Sequence, residues 1–372
     1  MGYTFKSADK LPEINQLPNL FTKENGEKIT TAEEWNSNRD YYKAMLKHYM
    51  YGDMPDETQG FDVTGEVIYS EEVFARKATH EFVKITFSPK GSNPSDNRLS
   101  FVAEITRPNN AEKCRVITYI AFPNARHYSV EEEAVVKRGY AIALFNYEQL
   151  APDKIVEGVL PIQKMLGEDL ELKTIALWAF CNMRLIDYLE TTTYAEKDSY
   201  IVTGHSRNGK AALCAGIFDD RIKIVVPNNS GCGGCGCFRF LGGQELTQNA
   251  GLTESLQVIT KSFPYWFSKN MNQFYDAAGK KYSAEESLNN KLPFDLHLNK
   301  ALIAPRALLS LEAYGDEWAN PYGSKLTHDA ASEVFTLLGV PGNIDIQFRE
   351  GVHEFNKQDW FRLLDFCDSH KK

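Results

Sequence analysis

A serine, an arginine and a lysine share one short stretch, Gly204-His205-Ser206-Arg207-Asn208-Gly209-Lys210. A serine hydroxyl is a weak nucleophile until a base removes its proton. Before this stretch comes the apolar run Ser199-Tyr-Ile-Val-Thr203, which reads as a strand; after it comes Ala211-Ala-Leu-Cys-Ala-Gly-Ile-Phe218, which reads as a helix. A serine held among small residues at such a strand-to-helix turn has the setting of a nucleophile elbow, with its hydroxyl raised above the end of the sheet. The same turn leaves N–H groups at a helix N-terminus, where they can stabilise an oxyanion. The pattern departs from G-x-S-x-G, because Asn208 stands where the second glycine belongs and Gly209 follows one residue late.

The base that such a serine needs is most often a histidine oriented by a carboxylate. When the serine sits on an elbow of this kind, the chain order is serine, acid, histidine. His353 lies in Glu350-Gly-Val-His-Glu-Phe355, after the strand-like run 344–349 and before a helix that starts near Lys357. That loop is the expected place for the base; a plain surface-loop histidine is the alternative. The acid should follow the strand-like run 307–311, where Glu312, Asp316 and Glu317 compete. Asp316 is favoured, because it follows Gly315, where the chain can turn sharply. Glu312 can point sideways into the fold, and the whole loop can also be read as solvated acidic surface. The Arg207 N–H is the expected first oxyanion donor, and a second is expected from Pro123-Asn124-Ala125-Arg126, after the strand 116–122. The Arg207 side chain can add charge there. Lys210 stands one helical turn beyond Ser206, either at a pocket rim or simply in solvent.

The elements that must position these residues can be read from hydrophobic period. Thr31-Ala-Glu-Glu34 is a capping box, which predicts a helix over about 32–49. The runs 81–87 and 99–105 alternate apolar and polar residues, as half-buried antiparallel strands do. Further on, 116–122, 140–145, 200–203, 222–226 and 307–311 are short and mostly apolar, as parallel strands covered on both faces are. Leu172, Ile175, Ala179, Met183, Ile186 and Leu189 form a helical stripe between two of them. Antiparallel strands first and strand–helix units later predict the plan of an α/β hydrolase, with a mainly parallel central sheet and antiparallel N-terminal strands. The expected organisation is one domain over 1–372. Residues 1–30 form an irregular lead-in, and 240–300, which lack strand character, form an insertion over the catalytic edge.

Composition narrows the function classes. The 372 residues carry a net charge of −9 with no block of lysine or arginine, which argues against a nucleic-acid partner. No apolar run approaches the roughly 18 residues of a membrane span. The first ten residues are too polar for a signal peptide, which leaves open both a cytoplasmic protein and one whose signal has been removed. Seven cysteines argue against complete disulfide pairing. The Cys232, Cys235 and Cys237 group sits in a glycine-rich stretch with no histidine nearby in sequence. It reads as small-residue packing rather than a zinc site, so no metal or cofactor is expected.

The elbow and the stretch Asn228-Asn-Ser-Gly-Cys-Gly-Gly234 together resemble the glucuronoyl esterases of carbohydrate esterase family 15, the bacterial branch above all. Further matches lie at Tyr51-Gly-Asp-Met-Pro55, Phe263-Pro-Tyr-Trp-Phe267, Asp316-Glu-Trp-Ala-Asn-Pro321 and Gly351-Val-His353, so the resemblance spans about 17–370. Its G-x-S-R-x-G-K element explains the late glycine. The resemblance implies a secreted, metal-independent enzyme, a three-layer α/β-hydrolase sandwich, that cleaves esters between glucuronic acid on xylan, often 4-O-methylated, and lignin alcohols. It implies Ser206 as nucleophile, His353 as base, Arg207 as oxyanion support, Lys210 as a sugar contact and Trp318 as a wall of the sugar pocket. Two departures stand out. His205 replaces a cysteine that many fungal members tie into a disulfide. Asn229 stands where those members carry their acid, which moves that role downstream to Asp316. An acetyl-xylan or other carboxylic-ester hydrolase of the same fold is the rival enzyme, and an inactive carbohydrate-binding homologue is the rival outside catalysis.

Overall fold

Alternation of apolar and polar residues builds β2 (Ala78–Pro89) and β3 (Leu99–Pro108), which pair with β1 (Phe61–Val73) as an antiparallel meander. The computed structural model describes residues 2–55, 60–92, 97–123, 129–242, 253–274 and 288–371. The chain packs as two compact units, each drawn from two stretches: 53–228 with 354–372, and 1–52 with 229–353.

In the first of these units the strand order is β1-β2-β3-β5-β4-β6-β7. β4 (Val116–Ala121), β5 (Ala141–Asn146), β6 (Tyr200–His205) and β7 (Ile222–Asn228) are mutually parallel, and β5 meets β3 antiparallel. These four strands are buried along nearly their whole length, which is why their sequences are continuous apolar runs rather than alternating ones. Helices cover them in two groups. α2 (Val130–Lys137) packs with α9 (Lys357–Ser369), and α4 (Thr174–Thr191) packs with α5 (Arg207–Phe218). A short helix, α3 (Pro161–Leu166), precedes α4.

The predicted stripe on α4 understates that helix. It is buried on nearly every face, because β1 lies against it as well as α5 and the sheet. The approach to β1 is so close that a Cβ on Gly65 would stand 2.1 Å from the Tyr188 ring. β1 itself has no counterpart among the predicted strands. Its middle, Val67-Ile68-Tyr69, is exposed, so no one-sided apolar alternation marks it.

The topology places the elbow. The chain leaves β4 to form β5 on one side and returns to form β6 on the other. Such a switch point opens a crevice beyond the carboxyl ends of the strands. Ser206 follows β6, and the loop beginning at Pro123 follows β4.

In the second unit, α1 (Ala32–Leu46) starts from the predicted capping box: Thr31 Oγ1 accepts the Glu34 N–H, and Glu34 accepts the Thr31 N–H in return. A π turn, Lys47–Tyr51, extends it. The lead-in is irregular but anchored, with the carbonyls of Ile14 and Pro18 bonded to Arg239 and His297. α6 (Leu256–Ser262) falls within 240–300 and α7 (Leu296–Ala301) begins there, although 243–252 and 275–287 of that stretch lie outside the described residues. β8 (Ala307–Ala313), α8 (Pro321–Leu337) and β9 (Ile344–Arg349) then form a strand–helix–strand unit with β8 and β9 parallel.

Candidate active site

The elbow is a sharp local distortion. Ser206 has φ 59° and ψ −125°, a backbone conformation that side-chain-bearing residues rarely adopt. The turn is held from both sides. The Ser206 N–H donates to Asn228 O at 2.9 Å, and Ser206 O accepts from the N–H groups of Gly209 and Lys210 at 2.9 and 3.2 Å. Only glycine fits at 204, since a Cβ there would sit 2.3 Å from Asn208 O. Arg207 opens α5, so its N–H belongs to the first turn, whose donors have no acceptor within a helix. The expected second donor loop cannot be compared, because 124–128 lie outside the described residues.

The side chains around the elbow are tied down. His205 Nδ1 donates to Asn228 Oδ1 at 2.5 Å, joining the ends of β6 and β7 without a covalent bond. The Arg207 guanidinium forms an ion pair with Asp153, whose side chain is only 6% exposed and accepts a hydrogen bond from the Tyr147 hydroxyl at 3.2 Å. Burial, with Asp153 and Glu148 nearby, pushes the Tyr147 phenol above its ordinary range and keeps it a donor. Lys210 is 1% exposed, so the reading of a solvated lysine does not hold.

The carboxylate and the histidine meet within the unit that carries β8 and β9. The loops after these strands are joined by Tyr314 N–H to Arg349 O at 2.9 Å and Gly315 N–H to Gly351 O at 3.0 Å. That pairing brings His353 Nδ1 to 2.5 Å from Asp316 Oδ2. Asp316 is buried, and its other oxygen accepts the Ala319 N–H at 3.2 Å, capping the turn Glu317–Ala319 that carries Trp318. Burial alone would raise the Asp316 pKa. The hydrogen bonds from His353, Asn229 and the Ala319 N–H, with the His353 charge, outweigh it and hold the carboxyl below its ordinary value.

Of the competing carboxylates, Glu312 is fully buried within β8, in the electrostatic company of Lys300 and Cys235. Glu317 is the first residue of the capped turn. Trp318 is 42% exposed and Tyr322 36%, whereas Trp266 is buried and stacked on Phe263 at 3.8 Å. Cys232, Cys235 and Cys237 are buried and not joined in disulfides. Two side-chain partners escaped sequence reasoning. Asp153 stands 54 positions from Arg207, and no local pattern links them. Asn229 is in sequence only a residue unable to carry charge, yet its amide donates to Asp316 Oδ2 at 2.5 Å.

An imidazole held at Nδ1 by a buried carboxylate presents its Nε2 for proton transfer, which is the work of a general base. Comparison with known proteins identifies the enzymes that share this chain's plan. The sequence model of fungal glucuronyl esterases matches residues 92–339. A carbohydrate esterase of an unknown prokaryotic organism is 27% identical, across 99% of this chain and 92% of its own. The 4-O-methyl-glucuronoyl methylesterase 1 of Wolfiporia cocos is 28% identical, across 88% of this chain and 73% of its own. Among solved structures, a promiscuous family 15 carbohydrate esterase from a marine bacterial metagenome superposes with a TM-score of 0.79 at 25% identity, covering 99% of this chain and 100% of its own. The family 15 glucuronoyl esterase of Caldicellulosiruptor kristjansonii does so with 0.77 at 27% identity, covering 97% and 91%. The family model spans well over half of the sequence, and the chain therefore belongs to the glucuronoyl esterases of carbohydrate esterase family 15, carboxylic-ester hydrolases on the α/β-hydrolase fold.

Proposed function

We propose that this enzyme is a secreted serine esterase that hydrolyses esters of glucuronic acid, with or without a 4-O-methyl group, linking xylan to lignin alcohols. The observation that carries the catalytic part is the 2.5 Å hydrogen bond between Asp316 and His353, with the strained Ser206 elbow upstream in the chain. The names of the fungal relatives, 4-O-methyl-glucuronoyl methylesterases, support the acyl group.

The substrate ester is uncharged. Ser206 Oγ attacks its carbonyl carbon while His353 takes the hydroxyl proton, and negative charge gathers on the carbonyl oxygen. The Arg207 N–H and the positive end of α5 stabilise that oxygen more in the transition state than in the ground state, which is the condition for acceleration. The Arg207 guanidinium adds positive charge from its seat on Asp153. His353 then hands the proton to the departing alcohol and leaves a glucuronoyl ester on Ser206. Water, activated by the same histidine, attacks this acyl-enzyme and frees the uronate. Asp316 stabilises the imidazolium in both halves of the cycle. Trp318 offers an exposed ring face to the sugar, and Lys210 supplies a cation for the uronate ring substituents.

A wider ester range is the second reading, favoured by the likeness to an esterase described as promiscuous. Parallel assays on benzyl glucuronate and acetylated xylan separate the two. The proposal expects rapid release of benzyl alcohol and slow release of acetate. Fast acetate release with benzyl glucuronate untouched would refute it.

A further inference from the structure

Asn229 shares an oxygen with the catalytic base. Its Nδ2 donates to Asp316 Oδ2 at 2.5 Å, and His353 Nδ1 reaches the same oxygen at the same distance. Asn229 and Asp316 are both almost wholly buried, 1% and 3% exposed. The amide is not there by accident of a loose loop. Asn229 holds a left-handed conformation, φ 44°, and its N–H is fixed to Leu311 O in β8 at 2.8 Å. Asparagine tolerates that region better than most residues, because its short side chain bonds locally.

An ionised carboxylate only accepts hydrogen bonds, so the neighbour of Asp316 Oδ2 at this distance must donate. A carboxylate at 229 would put two anions within hydrogen-bond reach in a buried place, and one of them would have to take up a proton. If that proton settled on Asp316, the charge that orients His353 would be gone. An apolar side chain at 229 would leave a lone pair of a buried anion without its donor, which is costly.

We propose that Asn229 is a positioning residue for catalysis: its amide locks the Asp316 carboxylate in the rotamer and charge state that hold His353 Nδ1. Position 229 and position 316 then form one unit, in which an acid at 316 requires a neutral donor at 229. This inference rests on the esterase reading above, because Asn229 acts only through the Asp316–His353 pair.

The test uses the full chain with Asn229→Asp, which keeps the shape but replaces the neutral donor with an ionisable acid, and Asn229→Ala. The readouts are kcat and KM on benzyl glucuronate and the far-downfield proton NMR signal of His353 Nδ1–H, assigned by its loss in His353→Ala. The expected result is a fall in kcat of about 10- to 100-fold, the scale set by one hydrogen bond to a charged group. KM should stay within about twofold of wild type, since Asn229 touches no substrate. The downfield signal should shift or broaden in both variants. Should Asn229→Ala fail to fold, the isosteric Asn229→Asp carries the test. Wild-type kcat with an unmoved signal would overturn the proposal, and so would a rise in KM matched to the loss with the signal unmoved. If the wild-type enzyme leaves benzyl glucuronate intact, the substrate reading fails instead, and the NMR signal alone decides for or against Asn229.

Discussion

Asp316 uses its two oxygens for two purposes. Oδ1 caps the turn that presents Trp318, and Oδ2 holds His353 with help from Asn229. Its neighbour in rank, Glu312, is enclosed within β8 beside Lys300, whose ammonium donates to Ser324 O at 2.8 Å. Asp316→Asn keeps the shape but turns an acceptor toward a donor, so kcat should drop by about 10⁴-fold while folding is retained. Glu312→Gln should keep most of the activity per folded molecule. Steady-state kinetics on both variants checks this, and an inactive Glu312→Gln beside a near-normal Asp316→Asn would move the acid to Glu312. The sequence narrowed the acid to three carboxylates in one loop and favoured Asp316 on the Gly315 turn. The contact between Asp316 and His353 is a non-local one, set by the pairing of Gly315 with Gly351. The strand-to-helix turn at Ser206 was legible because its signal is local, a short run of small residues between a strand and a helix. The burial of Lys210 was not, because what covers a helix face is decided by residues far away in the chain.

At the scale of elements, the elbow depends on β6 and α5 approaching each other closely at their junction. The Gly204 Cα stands where a single added carbon would meet the carbonyl of Asn208, and both partners are backbone. Neither can move aside without opening the Ser206 turn. Gly204→Ala should therefore cost about 1–3 kcal/mol of stability, as overpacking does, and should lower kcat more than a destabilised but folded protein would. Urea unfolding alongside single-turnover kinetics measures the two effects separately; unchanged stability and rate would mean that the turn is not strained against α5. Other elements show why hydrophobic period succeeds or fails. β9 was predicted at the bounds it takes, because turn chemistry brackets it on both sides. α1 was legible from its capping box. β1 was missed because its central residues face solvent, and the apolar ones among them pack on no core.

At the scale of the molecule, the order of element types made the α/β-hydrolase plan readable: alternating strands early, continuous apolar strands with helices between them later. Ser206, Arg207 and Asp153 lie in one compact unit, and Asp316, Asn229, His353 and Trp318 lie in the other. Within each unit these residues are linked by contacts spanning tens of positions, beyond the reach of any local sequence window. Family resemblance was legible for the same reason that the roles are testable, because its motifs fall on the elbow, the Asp316 loop and the His353 loop. The central claim is that hydrolysis of glucuronate esters runs through Ser206. The most direct measurement is labelling with a serine-directed phosphonate, with peptide mass mapping and benzyl glucuronate turnover followed in the same samples. The account predicts one adduct, on Ser206, and loss of activity in proportion to labelling. Full activity with Ser206 labelled, or activity lost with Ser206 unlabelled, would contradict it.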